Sequence, residues 1–260
     1  MSGVVERNLS GQHALITGAG TGIGAAIAQS LFAAGARVTL AGRRLDILQA
    51  CAQRIGAPAD ACVVMDVTDE NSVAAGIARA TATAGAVEIL VNNAGSAVSA
   101  PFLGTDAAAL DAMLAVNFKG PWRLTQAVLP GMIARRSGRI ITIASTAGVK
   151  GYAYVTAYAA AKHAVIGMTR ALALEVALHG ITVNAVCPGF ADTPLVVAAV
   201  NTIAAKTGRS LQASRDDLAR GNPMGRLVQP REVADAVVWL ASPGAAAING
   251  QAIVVAGGEI

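Results

Sequence analysis

The amino-acid sequence predicts an α/β fold in which a doubly wound parallel sheet of seven strands carries helices on both faces. Apolar runs of strand length alternate with helix-length segments along the whole chain, which is typical of consecutive βαβ units. The composition, with 28 glycines and only 3% aromatic residues in 260, suits close packing of helices on a sheet. Because no repeat or low-complexity linker interrupts the pattern, we expect a single domain, residues 1–260.

The predicted strands are seven short runs rich in Val, Ile or Ala. They cover residues 13–17, 37–41, 61–65, 89–92, 139–144, 182–186 and 252–255. The clearest helical segments between them cover residues 22–34, 71–83, 107–135, 157–179 and 230–241. Pro121 lies inside the third of these helices, and we expect a bend there.

The segment 189–229 differs from the rest of the chain. It shows no strand pattern, and small residues and several charges are scattered along it. It follows the predicted sixth strand, and ligands of open α/β sheets bind beyond the carboxyl ends of the strands. We therefore expect this insertion to be a substrate-binding lid.

The charge pattern argues against a nucleic-acid-binding protein. The formal net charge is +4 and the pI is near 9.3, but the basic residues are scattered and form no stripe interleaved with aromatics. A small anionic ligand, such as a phosphate-bearing cofactor, fits this mild excess equally well. The charge alone does not choose between these partners.

The cysteines predict neither a disulfide framework nor a metal site. Cys51, Cys62 and Cys187 are odd in number and lack ligand spacing, so a reducing cytoplasm is the expected location. Glu6 and Arg7 stand where an export signal would be apolar. The uncharged stretch 14–36 is long enough to span a membrane, but its glycines and its change of period predict a strand, a loop and a helix instead.

A glycine-rich loop follows the predicted first strand and opens directly onto a helix. Glycines permit a tight turn and a close backbone approach, and a helix N-terminus offers unpaired N–H groups to a pyrophosphate. An ordinary strand-to-helix turn is the alternative, although the position in the chain favours a dinucleotide site and hence a Rossmann fold. The candidate cofactor-binding residues in this loop are Gly18, Thr21, Gly22, Ile23 and Gly24.

Residues at the ends of the second and third predicted strands are expected to contact the adenosine half of such a cofactor. Gly42 leaves space and Arg43 or Arg44 could pair with a 2′-phosphate, so NADP(H) is favoured over NAD(H), which remains possible. Alternatively these arginines start a solvated helix. Asp66 and Val67 are placed to meet the adenine, unless Asp66 only caps the next helix.

Tyr158 and Lys162 are the candidate acid/base pair. They are four residues apart, so on a helix they share one face. A cation about 4.5 Å from a phenolate stabilises it by roughly 3–4 kcal/mol, which would lower the pKa of Tyr158 from about 10 toward neutrality. Tyr158 could then exchange a proton with a carbonyl or alcohol, and Ser145 could hydrogen-bond the same oxygen. An isolated pair of this kind would more often be a surface pair on a helix.

With these residues in place, the chain resembles the short-chain dehydrogenase/reductase family over nearly its whole length. The resemblance rests on the glycine loop, on the NNAG sequence at 92–95, and on the Tyr-x-x-x-Lys spacing with a serine thirteen residues before it. It implies a catalytic tetrad of Asn117, Ser145, Tyr158 and Lys162, in which Asn117 holds a water beside the lysine. It further implies that the cofactor contacts Asn92, Ala94, Gly95, Tyr158, Lys162, Pro188, Gly189 and Thr193.

The resemblance extends to the assembly and to the class of substrate. Members of the family usually form homotetramers through two long helices and the last strand. The chain looks most like the β-ketoacyl reductases of fatty-acid and polyketide synthesis and like 3-hydroxyacyl-CoA dehydrogenases, which implies a thioester-bound or small-molecule carbonyl substrate. The candidate substrate residues are Tyr152, Tyr154, Phe190 and Arg215.

Alternatives remain for the lid and for the function. Arg209, Arg215 and Arg220 could meet the phosphates of a pantetheine arm, or they could merely solvate a helix. An NAD-linked dehydrogenase of a secondary alcohol or a 3-hydroxyacyl-CoA is the second enzymatic interpretation. A non-catalytic dinucleotide sensor and a basic protein that binds nucleic acid or a membrane surface are less favoured. His163 and Cys187 are expected to be structural, because neither shares a face or a spacing with the candidate acid/base pair.

Overall fold

The structure is a computed structural model in which residues 9–260 are described. Residues 1–8, on which the expectation about an export signal rests, lie outside that range. The described residues form seven strands: β1 His13–Thr17, β2 Arg37–Gly42, β3 Cys62–Val64, β4 Ile89–Asn92, β5 Gly138–Ile143, β6 Ile181–Pro188 and β7 Ala252–Val255. They also form nine α-helices: α1 Gly22–Ala33, α2 Leu45–Ile55, α3 Glu70–Ala84, α4 Ala107–Leu114, α5 Gly120–Arg135, α6 Thr156–Val176, α7 Pro194–Thr207, α8 Leu211–Arg220 and α9 Pro230–Ala241.

All seven strands form one parallel sheet in the order β3-β2-β1-β4-β5-β6-β7. The predicted fold class is therefore confirmed. The chain leaves β1 toward β2 on one side and returns to β4 on the other, so the strand order reverses between β1 and β4. In doubly wound sheets, this reversal opens a crevice at the carboxyl ends of the strands.

Helices cover both faces of the sheet because side chains alternate along each strand. Ile16 of β1 faces a core built with α1, α2 and α9, whereas its neighbour Leu15 faces a second core built with α3, α5 and α6. Both residues are fully buried. The strands are apolar on both sides, as expected of parallel strands, and this explains why the sequence revealed them so clearly.

The segment predicted as one long helix, residues 107–135, consists of α4, a turn of π-helix at Ala115–Lys119, and α5. The interruption lies directly before Pro121, and the bend expected at this proline stays a prediction. Pro121 lies in the first turn of α5 and follows residues that are already helical, so its missing N–H removes one main-chain donor at the junction with the π-helical turn. The extra residue per turn in a π-helix shifts the register of the side chains that follow it.

The insertion 189–229 folds as two helices, α7 and α8. Its two ends meet where Ala191 bridges to Val228 in parallel fashion, so the insertion begins and ends at one place beside the sheet. Val196, Val200 and Leu227 form a small apolar core of their own.

Within residues 9–260, no helix combines the length and the hydropathy needed to cross a bilayer. The uncharged stretch 14–36 divides into β1, the glycine loop, α1 and a turn, as the sequence predicted.

Candidate active site

The glycine loop between β1 and α1 leaves the first turn of α1 open to a ligand. Gly18 and Gly22 have φ angles of +64° and +55°, a region that favours glycine. Thr21 is the N-cap residue of α1 but makes no side-chain capping bond, so the first amides of the helix are available to an anion. Ile23 is partly exposed beside them. Gly24 is buried, and a Cβ there would lie 2.2 Å from the oxygen of Gly18, so its role is close packing.

Asn93 fastens this loop to the loop that follows β4. Its Nδ2 donates to the main-chain oxygens of Thr17, at 2.8 Å, and Gly18, at 3.2 Å. In return, the Thr17 hydroxyl accepts from the amides of Asn93 and Ala94, both at 3.0 Å. Our set of site residues omitted Asn93, although the NNAG sequence that contains it was a visible signal. It is a positioning residue at the strand-order reversal.

Asn92 and Gly95 lie on either side of Asn93 and Ala94, and both are tightly packed. The Asn92 side chain is buried and donates to the hydroxyls of Thr125 and Thr142 at 3.4 and 3.5 Å. A Cβ on Gly95 would lie 2.9 Å from Oδ1 of Asn117 and 3.8 Å from Nζ of Lys162. A side chain at position 95 would therefore crowd two residues of the predicted tetrad.

Two exposed arginines follow the end of β2. Arg43 and Arg44 are exposed, and neither forms an ion pair or a side-chain hydrogen bond within residues 9–260. The expected alternative, a pair with Asp46 across the turn, is not formed among the described residues. Arg44 does stand at the N-cap position of α2, so a helix begins here as the alternative reading supposed. A Cβ on Gly42 would make only ordinary contact, at 3.4 Å from Leu48.

Asp66 and Val67 follow β3 in a tight turn. Oδ1 of Asp66 accepts from the amide and the hydroxyl of Thr68 at 2.9 and 2.7 Å, and these bonds hold the pKa of Asp66 below its usual value. The cap of α3 is Asp69, which accepts from the Ser72 amide, so the capping role proposed for Asp66 was wrong. Val67 is buried.

Three of the four predicted catalytic side chains converge beyond the carboxyl end of β5. Ser145 is the second residue after the strand, and its Oγ accepts from the Ala147 amide at 3.0 Å. Tyr158 and Lys162 lie on adjacent turns of α6, with Nζ of the lysine 5.6 Å from the centre of the tyrosine ring. Lys162 is buried and donates to the main-chain oxygen of Ile143 at 2.8 Å.

Burial sets the proton affinities of this pair. It lowers the pKa of Lys162 to about 8, because the charged ammonium loses its water. Burial also raises the pKa of Tyr158, while its side-chain hydrogen bond with Ser145 acts in the opposite direction. The expected lowering of the tyrosine pKa by the lysine is therefore not found. Desolvation of the phenolate dominates, and the lysine is directed at Ile143 instead.

Asn117 reaches the site from the π-helical turn. Its Nδ2 donates to the main-chain oxygens of Ser96, at 2.9 Å, and Met113, at 3.0 Å, and its Oδ1 accepts from the Ser96 amide at 3.4 Å. It thereby ties the turn to the loop after β4. The spacing of the sequence gives no sign of the π-helix that places it there.

The loop after β6 closes over the glycine loop. Pro188 ends the strand, and Gly189 donates its amide to the oxygen of Val255 at 3.1 Å. Thr193 caps α7 by accepting from the Val196 amide. A Cβ on Gly22 would lie 3.2 Å from Cγ2 of Thr193, so the loops after β1 and β6 are neighbours.

Tyr152 and Phe190 pack against each other, and Tyr152 contacts the residue that follows Ser145. Their rings meet edge to face, with centres 6.2 Å apart. The Tyr152 hydroxyl contacts Thr146 and also the carboxylate of Glu259, a residue the sequence analysis did not single out. Tyr154 is 63% exposed with φ at +67°, and its main-chain oxygen accepts from the Ala100 amide at 2.8 Å.

Each of the three lid arginines has a carboxylate partner. Arg215 lies 2.7 Å from Asp192, Arg220 lies 2.8 Å from Asp217, and Arg209 also pairs with Asp217. These pairs favour the alternative in which the arginines serve the lid and its solvation.

Of the two residues expected to be structural, His163 faces solvent, whereas Cys187 is buried close to Ser145 and Lys162. His163 is exposed, with Nδ1 2.9 Å from the oxygen of Ala159 on its own helix. Cys187 is fully buried, and burial raises the pKa of its thiol to about 11.

This arrangement fits a nicotinamide dinucleotide. The glycine loop offers main-chain amides and a helix N-terminus without a side-chain cap to a pyrophosphate. Arg43 and Arg44 stand at one end of the crevice, and Ser145, Tyr158 and Lys162 stand at the other. The second group can exchange a proton with an oxygen atom placed between them.

Comparison with known proteins shows what the chain resembles. A family model described as short chain dehydrogenase matches residues 12–204. A protein named as ketoacyl reductase 1 of the granaticin polyketide synthase, from Streptomyces violaceoruber, is 42% identical over 251 residues, covering 94% of this chain and 92% of the relative. The 3-oxoacyl-(acyl-carrier-protein) reductase of Vibrio harveyi is 39% identical, covering 96% of this chain and 98% of the relative. A solved variant of actinorhodin polyketide ketoreductase with NADPH has a TM-score of 0.91 at 37% identity, covering 95% of this chain and 97% of that one.

Proposed function

This chain belongs to the short-chain dehydrogenase family, and on that premise we propose that it is an NADPH-dependent reductase of 3-oxoacyl thioesters. The observation that carries the proposal is the convergence of Ser145, Tyr158 and Lys162 at the end of the crevice that the glycine loop begins. The names of the similar proteins support the substrate class, since they include ketoacyl reductases and a 3-oxoacyl reductase.

Residues along the crevice would hold the cofactor. The glycine loop, Gly18 to Gly24, would bind the pyrophosphate, and Arg43 or Arg44 would pair with the 2′-phosphate of NADP(H). Support for the second assignment comes from the exposure of both arginines, neither of which forms an ion pair or a side-chain hydrogen bond among the described residues. The loops at 92–95 and 188–193 would border the nicotinamide half. NADPH, when bound, supplies the hydride that reduces the carbonyl carbon.

Tyr158 would deliver the proton. It has to be protonated to act as an acid on the carbonyl oxygen, and burial, which raises its pKa, keeps it so. Ser145 would hydrogen-bond the same oxygen and stabilise the negative charge that develops on it. Lys162 would lie behind the tyrosine and bind the nicotinamide ribose, and Asn117 would hold a water beside it. These two roles follow from the family resemblance.

The acyl chain would lie against Tyr152 and Phe190, with Tyr154 at the entrance. Support comes from their placement beside Ser145 and from the exposure of Tyr154. The insertion 189–229 would act as the lid over this pocket, and Arg215 would hold the lid through its ion pair with Asp192.

We also propose a cytoplasmic homotetramer. Leu174 of α6 and Leu178 in the turn after it are 84% and 85% exposed, and Trp122 of α5 and Trp239 of α9 are more than 40% exposed, as expected of faces that pack against other copies. The cysteines of the described chain are free and buried, which suits a reducing compartment. Light scattering would report the mass of the assembly, and a monomer would contradict the proposal.

The decisive experiment measures NADPH oxidation with an acetoacetyl thioester for the wild type and for Tyr158→Phe. Loss of the proton donor should lower kcat by roughly 100- to 10,000-fold. His163→Gln, which changes an exposed residue on the same helix, is the control and should retain activity. Turnover of a secondary alcohol with NAD⁺ and none of the thioester would instead favour the dehydrogenase interpretation.

A further inference from the structure

The carboxylate of Glu259, the second residue from the chain end, is unusually buried for an acidic group. Only 5% of its side chain is exposed. Nζ of Lys150 lies 3.2 Å from its Oε1 and also donates to its main-chain oxygen at 3.3 Å. Acidic side chains are rarely buried unless they are paired, so the packing around Glu259 is specific to its charge.

Tyr152 completes the environment of this carboxylate. A phenol carries one proton and an ionised carboxylate can only accept, so the tyrosine donates to Oε1 of Glu259 and accepts from the Thr146 hydroxyl, 2.7 Å away. Burial and the neighbouring carboxylate raise the pKa of Tyr152, which keeps it a donor. Thr146 directly follows Ser145. The carboxylate is therefore two hydrogen bonds from the residue next to the catalytic serine.

The other oxygen of Glu259 packs against the loop after β6. A Cβ on Gly189 would lie 2.8 Å from Oε2, so that oxygen occupies the space a side chain would need. The next residue, Phe190, contacts the Tyr152 ring edge to face. Glu259 thus contacts both loops that form the proposed substrate wall.

The backbone that carries Glu259 also touches the far end of the insertion. Gly257 has a φ angle of +62°, and a Cβ there would lie 2.1 Å from Oδ1 of Asn222. A Cβ on Gly258 would lie 3.6 Å from Pro223. Residues 257–259 therefore lie between the loop 145–154 and both ends of the insertion 189–229.

We propose that Glu259 is a positioning residue that fixes Tyr152 and Phe190 as the wall of the substrate pocket. The inference rests on the proposed reductase function. It assigns Glu259 an effect on the binding of the carbonyl substrate rather than on the cofactor or on proton transfer.

The test compares kcat, KM for an acetoacetyl thioester and the Kd of NADPH in Glu259→Ala, Tyr152→Phe and the double variant. Loss of a hydrogen bond to a charged group should raise KM about tenfold in each single variant, with the Kd of NADPH unchanged. The double variant should have a KM close to that of Glu259→Ala, because both changes remove one contact. Glu259→Gln, which keeps an acceptor oxygen, should recover most of the loss.

Three results would overturn the inference: an unchanged KM in Glu259→Ala, multiplied effects in the double variant, or a parallel loss of kcat, NADPH binding and Tm. Ile260→Ala changes the neighbouring exposed residue and is the control for the chain end.

Amide hydrogen exchange gives a readout that needs no substrate. Residues 146–152 and 189–193 should exchange faster in Glu259→Ala and not in Ile260→Ala. If exchange changes in this way while the wild type reduces no thioester, the proposed function has failed and the positioning role of Glu259 stands. If exchange in Glu259→Ala is unchanged, the positioning role itself is contradicted.

Discussion

Lys162 directs its ammonium group at the main-chain oxygen of Ile143, 2.8 Å away, and the ring centre of Tyr158 is 5.6 Å from the same nitrogen. A buried cation thus relies on a neutral carbonyl, which compensates only part of the lost hydration. The energetic cost of this arrangement should be visible in the stability of the protein.

We expect Lys162→Met to unfold at higher urea concentration than the wild type at pH 7. The lysine has a pKa of about 8 when folded against 10.5 in the free side chain. Between these values the unfolded chain binds more protons, so the wild type gains stability as the pH rises through this window. The gap between the two proteins should close by up to ~3 kcal/mol by pH 10.5. Lys206→Met, on an exposed face of α7, is the control, and a constant gap would contradict the prediction.

Arg43→Ala should weaken NADPH binding about tenfold and leave NADH binding nearly unchanged, because only NADPH has a 2′-phosphate to pair with the guanidinium. Titration of intrinsic fluorescence with each cofactor measures this. Arg44→Ala tells which of the two arginines carries the effect. Equal binding of the two cofactors, indifferent to both substitutions, would remove the 2′-phosphate site from the proposal.

Gly24→Ala should destabilise the protein by about 3 kcal/mol, since its Cβ would lie 2.2 Å from the Gly18 carbonyl oxygen, a backbone atom that cannot easily move. NADPH binding should fall with it, because the glycine loop must shift. Gly167→Ala, where nothing lies within 4 Å of the new Cβ, should instead stabilise α6 by about 0.5–1 kcal/mol. Urea unfolding of both variants is the measurement, and equal effects would refute the packing argument.

Arg215→Ala should change the KM for a CoA thioester and for an N-acetylcysteamine thioester by the same factor. Asp192 already binds the guanidinium at 2.7 Å, so we expect the residue to hold the lid and not the phosphates that only CoA carries. Arg231→Ala, on an exposed turn of α9, is the control. A selective rise in the KM for the CoA thioester would restore the phosphate-binding interpretation.

Glu232→Gln should lower Tm by about 2–4 °C at neutral pH, an effect kept small because the pair with Arg226 is solvent-exposed. Arg226 and the Gln229 amide together lower the pKa of Glu232 to about 2. A depressed carboxyl pKa stabilises the fold above the unfolded value of 4.5 and loses that effect as the pH falls toward 2. The difference between variant and wild type should therefore vanish in acid. Asp235→Asn, whose contact with Arg231 is 3.9 Å long, should show little difference at any pH.

The strands, their parallel arrangement and the residues Ser145, Tyr158 and Lys162 could be predicted from the sequence because each depends on local order along the chain. Strands buried on both faces are continuous apolar runs, and side chains four apart on a helix must share a face. The glycine loop was recognisable for the same reason, since the conformations of Gly18 and Gly22 are a property of single residues.

Other features were decided only by the tertiary structure. Asn93 contacts a residue 76 positions away, and Tyr152 contacts Glu259 across 107 positions, so no spacing in the sequence announces either pair. The π-helical turn that places Asn117 was also not predictable from the local pattern of apolar residues. The rise in the pKa of Tyr158 depends on how many protein atoms surround the hydroxyl. Desolvation depends on all the atoms packed around a group. The order of residues along the chain determines which groups can react, and the fold determines how strongly each of them holds its proton.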